Sequence, residues 1–158
     1  MNTPVSFEIA KLLKEKGFNN ECSFFYSVME GEEGKLLPVT SSLEHIVEYS
    51  KKGHKFFDES TDRTLIHQTL KNDYAKGTVT APTIAEVVMW AFEKHGIWIS
   101  VFTMDKWLPN GNDREQLFDY GIKQMKLGLI NIPKKFEEFN SPTEAYAAAI
   151  EYTLNNLI

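Results

Sequence analysis

Residues 81–104 read APTIAEVVMWAFEKHGIWISVFTM, and this stretch decides the architecture. Pro82 opens a helical pattern that runs to His95. Projected at the α-helical period, Ile84, Ala85, Val87, Val88, Met89, Ala91 and Phe92 span roughly 200°, too wide a face for a peripheral helix. Thr83 and Glu86 have capping-box spacing, with Pro82 as an alternative first-turn residue. Gly96 stops the helix. Beyond it, Ile97, Ile99 and Val101 alternate with Trp98, Ser100, Phe102 and Met104, so Ile97–Met104 is a strand apolar on both faces. Such a strand is either covered on both sides or presents an aromatic face to a partner.

The flanking pattern completes an α+β plan. After this strand, LPNGN at 108–112 carries Pro and Asn-Gly turn signals, and Phe118, Tyr120 and Ile122 alternate within a return strand over Gln116–Met125. At the end, Ser141 precedes Pro142 and Glu144, a capping box at the start of a helix whose stripe is Tyr146, Ala149, Ile150, Leu154 and Leu157. A stripe carried that far predicts a docked helix and not a free tail. Near the start, Thr3, Pro4 and Ser6 lead into a helix over Ser6–Lys16 with Ile9, Leu12 and Leu13 on one side and Gly17 as a left-handed stop. Cys22–Met29 follows as a strand with Phe24, Tyr26 and Val28 on one face, then a turn at Gly31 and Gly34 and a return strand over Lys35–Val39. Between Thr40 and Val79 the pattern weakens, and helical spacing survives only over Ser42–Ser50 and Thr61–Ala75. The expectation is a single domain, residues 1–158, in which an antiparallel sheet of three to four short strands is packed by three to four helices, with 40–80 as a middle insertion or loop-rich segment.

Composition narrows the function classes. The chain has 158 residues, 42% hydrophobic and 25% charged, as an ordinary folded domain does. Its single cysteine, Cys22, excludes an intrachain disulfide and reads as a small buried strand residue. The start MNTPVSFEIAKLLKEKG lacks a basic segment followed by an apolar core, and no apolar run is long enough to span a bilayer. The expected compartment is the cytoplasm, with no membrane partner. A net charge of −5 disfavours nucleic acid. Lys11, Lys14 and Lys16 interleave with Glu8 and Glu15 as a solvated helix face.

Candidate chemistry is sparse. His45, His54, His67 and His95 show no ligand spacing of the kind that aims two imidazoles at one ion. His95 lies at the C-terminal end of the central helix, where an imidazole N–H meets an orphan carbonyl. Asp58, Glu59 and Asp62 beside Ser60 and Thr61 read as a turn leading into a helix cap. A phosphate loop and a nucleophile elbow are both missing from the sequence. No catalytic residue, metal ligand or cofactor is therefore assigned. The aromatics remain: Trp98, Phe102, Met104 and Trp107 form a partner-binding patch if one face of the sheet lacks helices, because Trp is enriched at interface hot spots.

Three segments in order, LLKEKGF at 12–18, APTIAEVVMWAFEKHGIWI at 81–99 and FNSPTEAYAAAIEYTLNNLI at 139–158, resemble a family of small uncharacterised proteins encoded in phage and prophage regions of gut bacteria. The resemblance covers most of the chain, with Thr40–Thr80 longer than the family's middle loop. It implies a helix, a strand, a polar loop, an APT-led helix, a hairpin and a final helix. It also implies a mobile-element accessory protein of the bacterial cytoplasm, and it transfers no catalytic residue. The expected function is a non-enzymatic module that binds another protein or itself. The alternative is a small hydrolase or metal-dependent enzyme built from the 40–80 segment.

Overall fold

The computed structural model describes residues 2–28, 31–38, 78–109, 113–125, 130–131 and 137–158. The architecture is α+β. Among the described residues there are three helices, α1 (Phe7–Glu15), α2 (Ile84–His95) and α3 (Pro142–Asn156). The strands are β1 (Phe24–Ser27), β2 (Leu36–Pro38), β3 (Thr78–Thr80), β4 (Ile97–Trp107), β5 (Arg114–Gln124) and β6 (Ile130–Asn131). They form two antiparallel three-stranded sheets, ordered β2-β1-β3 and β4-β5-β6, where the sequence suggested one. The difference comes from β3, a short β-branched run that sequence patterning passed over. By pairing with β1 it fills that strand's second edge and completes a sheet of its own within Pro4–Thr83. The chain falls into two compact units, Pro4–Thr83 and Ile84–Ile158 with Met1–Thr3. The two helices read over 42–50 and 61–75 lie outside the described residues, as do His45, His54, His67, Asp58, Glu59 and Asp62.

In the Pro4–Thr83 unit, Ser6 accepts a hydrogen bond from the Ile9 N–H at 3.3 Å and starts α1. Gly17, at φ 78°, ends it in a left-handed turn that a side chain would strain. Phe18 N–H reaches the Leu13 carbonyl at 2.8 Å and Gly17 N–H the Lys14 carbonyl at 3.1 Å, the paired bonds of a Schellman stop. The buried side of α1 is Ile9, Ala10 and Leu13. Lys14 is less solvated in role than its charge pattern suggests, since its Nζ donates to the Thr78 carbonyl of β3 at 3.0 Å. As the central strand, β1 buries Phe25, Tyr26 and Ser27 in succession, whereas Val28, expected beside Tyr26 on one face, is exposed. Tyr26 Oη donates to the Val5 carbonyl at 2.7 Å, and burial pushes its phenol above the ordinary value. Cys22 is fully buried, as read.

In the second unit, α2 begins at Ile84, whose N–H donates to the Thr3 carbonyl at 3.0 Å. Ile84, Val87, Val88 and Ala91 form its buried face. Met89, placed on the apolar arc by sequence, projects almost opposite that face and is 47% exposed, whereas Trp90 is buried. The Trp90 ring meets His95 edge-on at 4.7 Å, so His95 serves packing at the helix end. Gly96, at φ 66°, donates its N–H to the Phe92 carbonyl at 2.9 Å and redirects the chain into β4. The α3 N-terminus follows its sequence signature: Ser141 Oγ accepts from the Glu144 N–H, and Glu144 Oε2 accepts from the Asn140 N–H, both at 3.2 Å. Its deepest face is Ala145, Ala149, Ile150, Thr153 and Leu154, while Tyr146 and Leu157 are half-buried. Small residues there let α3 pack closely on β4 and β5 and beside α2. Thr153 remains compatible with burial because its hydroxyl donates to the Ala149 carbonyl at 2.8 Å.

Candidate functional site: the open face of the β4–β5 hairpin

Cross-strand register sorts the side chains. In an antiparallel pair, residues directly opposite share a face. Ile99 faces Ile122 and Val101 faces Tyr120 on one side, where Ile97, Ile99, Tyr120 and Ile122 are buried and the helices pack. On the other side Trp98 faces Lys123, Ser100 faces Gly121, Phe102 faces Asp119 and Met104 faces Leu117. That second face is divided lengthwise. Along β5, Asp119 and Leu117 are buried, but along β4 Trp98 is 42% and Phe102 46% exposed.

Both aromatics have local supports. Phe92 of α2 meets the Trp98 ring edge-on at 5.6 Å, orienting the indole without covering it. Phe102 lies over Gly121, where a Cβ would come within 3.7 Å of its ring and 3.4 Å of Ser100 Oγ. Ser100 Oγ donates in turn to the Gly121 carbonyl at 3.3 Å. A glycine inside a strand pattern signals such close approach, and Gly121 was the available clue. Met104 is half-buried on the same face.

Trp107 does not join this patch. By register it shares a face with Arg114, on the side opposite Trp98, and the guanidinium sits 4.1 Å from its ring centroid. It is 58% exposed near the hairpin tip, where Asp105 and Arg114 also pair at 3.5 Å. Strand alternation separates it from the other three residues, since Trp107 stands an odd number of steps along the pleat from Met104.

The β5 edge away from β4 is closed by short contacts. Phe118 and Phe139 exchange two backbone hydrogen bonds at 2.9 Å, and β6 pairs at Lys123 and Gln124. Between them the Tyr120 N–H is satisfied by the buried Asp119 carboxylate at 2.7 Å, a side chain doing what a ladder carbonyl would do. The Tyr120 phenol is pushed up to about 12, first by burial and then by the charges of Glu137 and Asp119. The unfolded phenol ionises near 10. Stability conferred by the neutral phenol is therefore complete below pH 10 and is lost as pH rises toward 12. Denaturant midpoints measured from pH 8 to 12 should fall above pH 10, and Tyr120→Phe should flatten that fall; an equal fall in both proteins would refute the assignment.

Among the described residues no group of three or more His, Cys, Asp or Glu side chains is placed to hold a metal ion. No helix there is long and apolar enough to cross a membrane. Compared with known protein families, curated proteins and solved structures, the chain finds no match in any of the three.

Proposed function

We propose that this chain is a non-enzymatic interaction module that binds another protein or itself through the β4 face bearing Trp98, Phe102 and Met104. The observation that carries the reading is the exposure of two large aromatics, one on either side of Ser100 on one strand face. Each is braced from beneath or beside, by Gly121 and Phe92, so little side-chain freedom remains to be lost on binding. The sequence resemblance supports a phage or prophage accessory role in the bacterial cytoplasm, where net negative charge favours protein over nucleic-acid partners.

Trp98→Ala tests the reading. Removing a central aromatic anchor costs about 2 kcal/mol or more, on the order of 30-fold in affinity. Immobilised protein should capture its partner from infected or lysogenic cells, and a folded Trp98→Ala variant should lose that capture. Equal capture by both would overturn the proposal.

A further inference from the structure

The aromatic face lies on a strand whose other resource is its backbone. In the order β4-β5-β6, β4 is an edge strand of 11 residues, and no described strand occupies its outer side. Hydrogen-bond parity shows what that side offers. Met125 N–H donates to the Gly96 carbonyl at 2.7 Å and Leu108 N–H to the Asp113 carbonyl at 3.0 Å, at the two ends of the ladder. Hydrogen-bonded and non-hydrogen-bonded positions alternate in an antiparallel pair. The main-chain groups of Trp98, Ser100, Phe102 and Met104 therefore turn toward β5, and those of Ile99, Val101, Thr103 and Asp105 turn outward.

Edge strands are ordinarily protected by proline, charge or a bulge. From Ile97 to Met104 there is neither a proline nor a charged residue, and the β4–β5 register runs without a bulge from Ile97 to Trp107. Composition and edge position together favour strand addition.

We infer that the occupant of this edge is a second copy of the chain, its β4 antiparallel to the first, with the two-fold axis at Phe102. This rests on the interaction reading above and names the partner. Only outward-facing positions can pair, and a residue-centred two-fold meets that condition by symmetry. With the axis at Phe102, Val101 faces Thr103 on the helix side. On the open side Phe102 faces its own copy, Ser100 faces Met104, and Trp98 faces Lys106. Both exposed aromatics thus gain cross-strand partners: ring against ring at the axis, and the indole against the aliphatic stem of Lys106, a half-exposed side chain whose ammonium pairs with Glu138. An axis at Asp105 would oppose two carboxylates, and one at Thr103 would carry Trp98 past the end of the strand to Leu108. The sheets of the two copies become one.

Two measurements test the inference. Sedimentation equilibrium up to about 100 μM should show a dimer. Thr103→Pro should weaken it by at least about 30-fold, because it removes an outward N–H and leaves the β5 ladder intact. Circular dichroism and a cooperative thermal transition, compared with the parent protein at a concentration where both are monomeric, confirm that this variant is folded. Independently, Ser100→Cys and Met104→Cys should form an intermolecular disulfide on mixing under oxidation. Facing Cα atoms would lie about 4.5 Å apart, within disulfide reach. Neither variant alone should cross-link, since like positions are offset by four residues, more than about 10 Å. Cys22 is buried and does not compete. A monomer throughout, a dimer untouched in folded Thr103→Pro, or cross-linking of either variant alone would each overturn the inference. A monomer that still captures another protein through Trp98 would overturn self-pairing and leave the interaction function standing; loss of both would remove both.

Discussion

Phe18→Ala is expected to destabilise the Pro4–Thr83 unit by about 3–5 kcal/mol, the usual cost of emptying a large aromatic site in a core. Phe18 is 1% exposed and follows the glycine that ends α1. Its backbone N–H donates to Leu13, which is itself fully buried, and alanine keeps that bond. The loss is therefore a side-chain effect: a cavity left where the helix stop is pinned to the core. Gly17→Ala separates the two contributions, since it retains the Phe18 ring but forces a side chain into the left-handed region, at a cost of about 1–2 kcal/mol. Urea unfolding followed by tyrosine and tryptophan fluorescence checks both variants. A Phe18→Ala loss no larger than that of Gly17→Ala would show that the ring contributes little to the core.

Leu154→Ala should cost about 2–5 kcal/mol, corresponding to a fall of roughly 5–15 °C in thermal midpoint at this chain length. Leu154 is 1% exposed on the buried side of α3 with Ile150 and Ala149. Removing Leu154–Ile158 should cost more. It also deletes the N–H groups of Leu157 and Ile158, which both reach the Thr153 carbonyl at 2.9 and 3.2 Å. Differential scanning calorimetry measures both variants. A midpoint unchanged by the truncation would mean that α3 is not docked through its last turn.

Local rules explain how much of the fold could be read from residue order. The stops at Gly17 and Gly96 and the cap at Ser141 depend on groups within one turn of each other, so their chemistry is written in adjacent residues. The β4–β5 hairpin was legible for a related reason: alternating apolar residues flank Asn-Gly, although its strands extend to Trp107 and from Arg114, beyond the apolar run. Charged and polar residues near the tip hid those ends, because there both faces of the ribbon are exposed and burial no longer imposes a pattern. On α2, Met89 projects away from the buried face and is exposed, whereas Trp90, also off that face, is buried by its neighbours.

The candidate site shows the same division. Sequence alternation placed Trp98, Phe102 and Met104 on one face, and the register agrees. Trp107 shares their chemistry and lies close to them in the chain, but pleat alternation sends it to the other side beside Arg114. The braces, Phe92 against Trp98 and Gly121 under Phe102, each join residues on two different elements, a helix with the strand after it and two paired strands.

By itself, residue order determined the helix and strand identities of the APT-led segment, the caps, and the α+β class, because these follow from periodicity and from hydrogen bonds made within a few residues. Only tertiary structure decided that the described strands form two sheets, that β4 stands at the edge of its sheet among them, and that its aromatic face is open along β4 and closed along β5. Those outcomes depend on which distant segments compete for the same strand edges and apolar surfaces. That competition is settled by long-range packing free energy and leaves no periodic trace in the sequence.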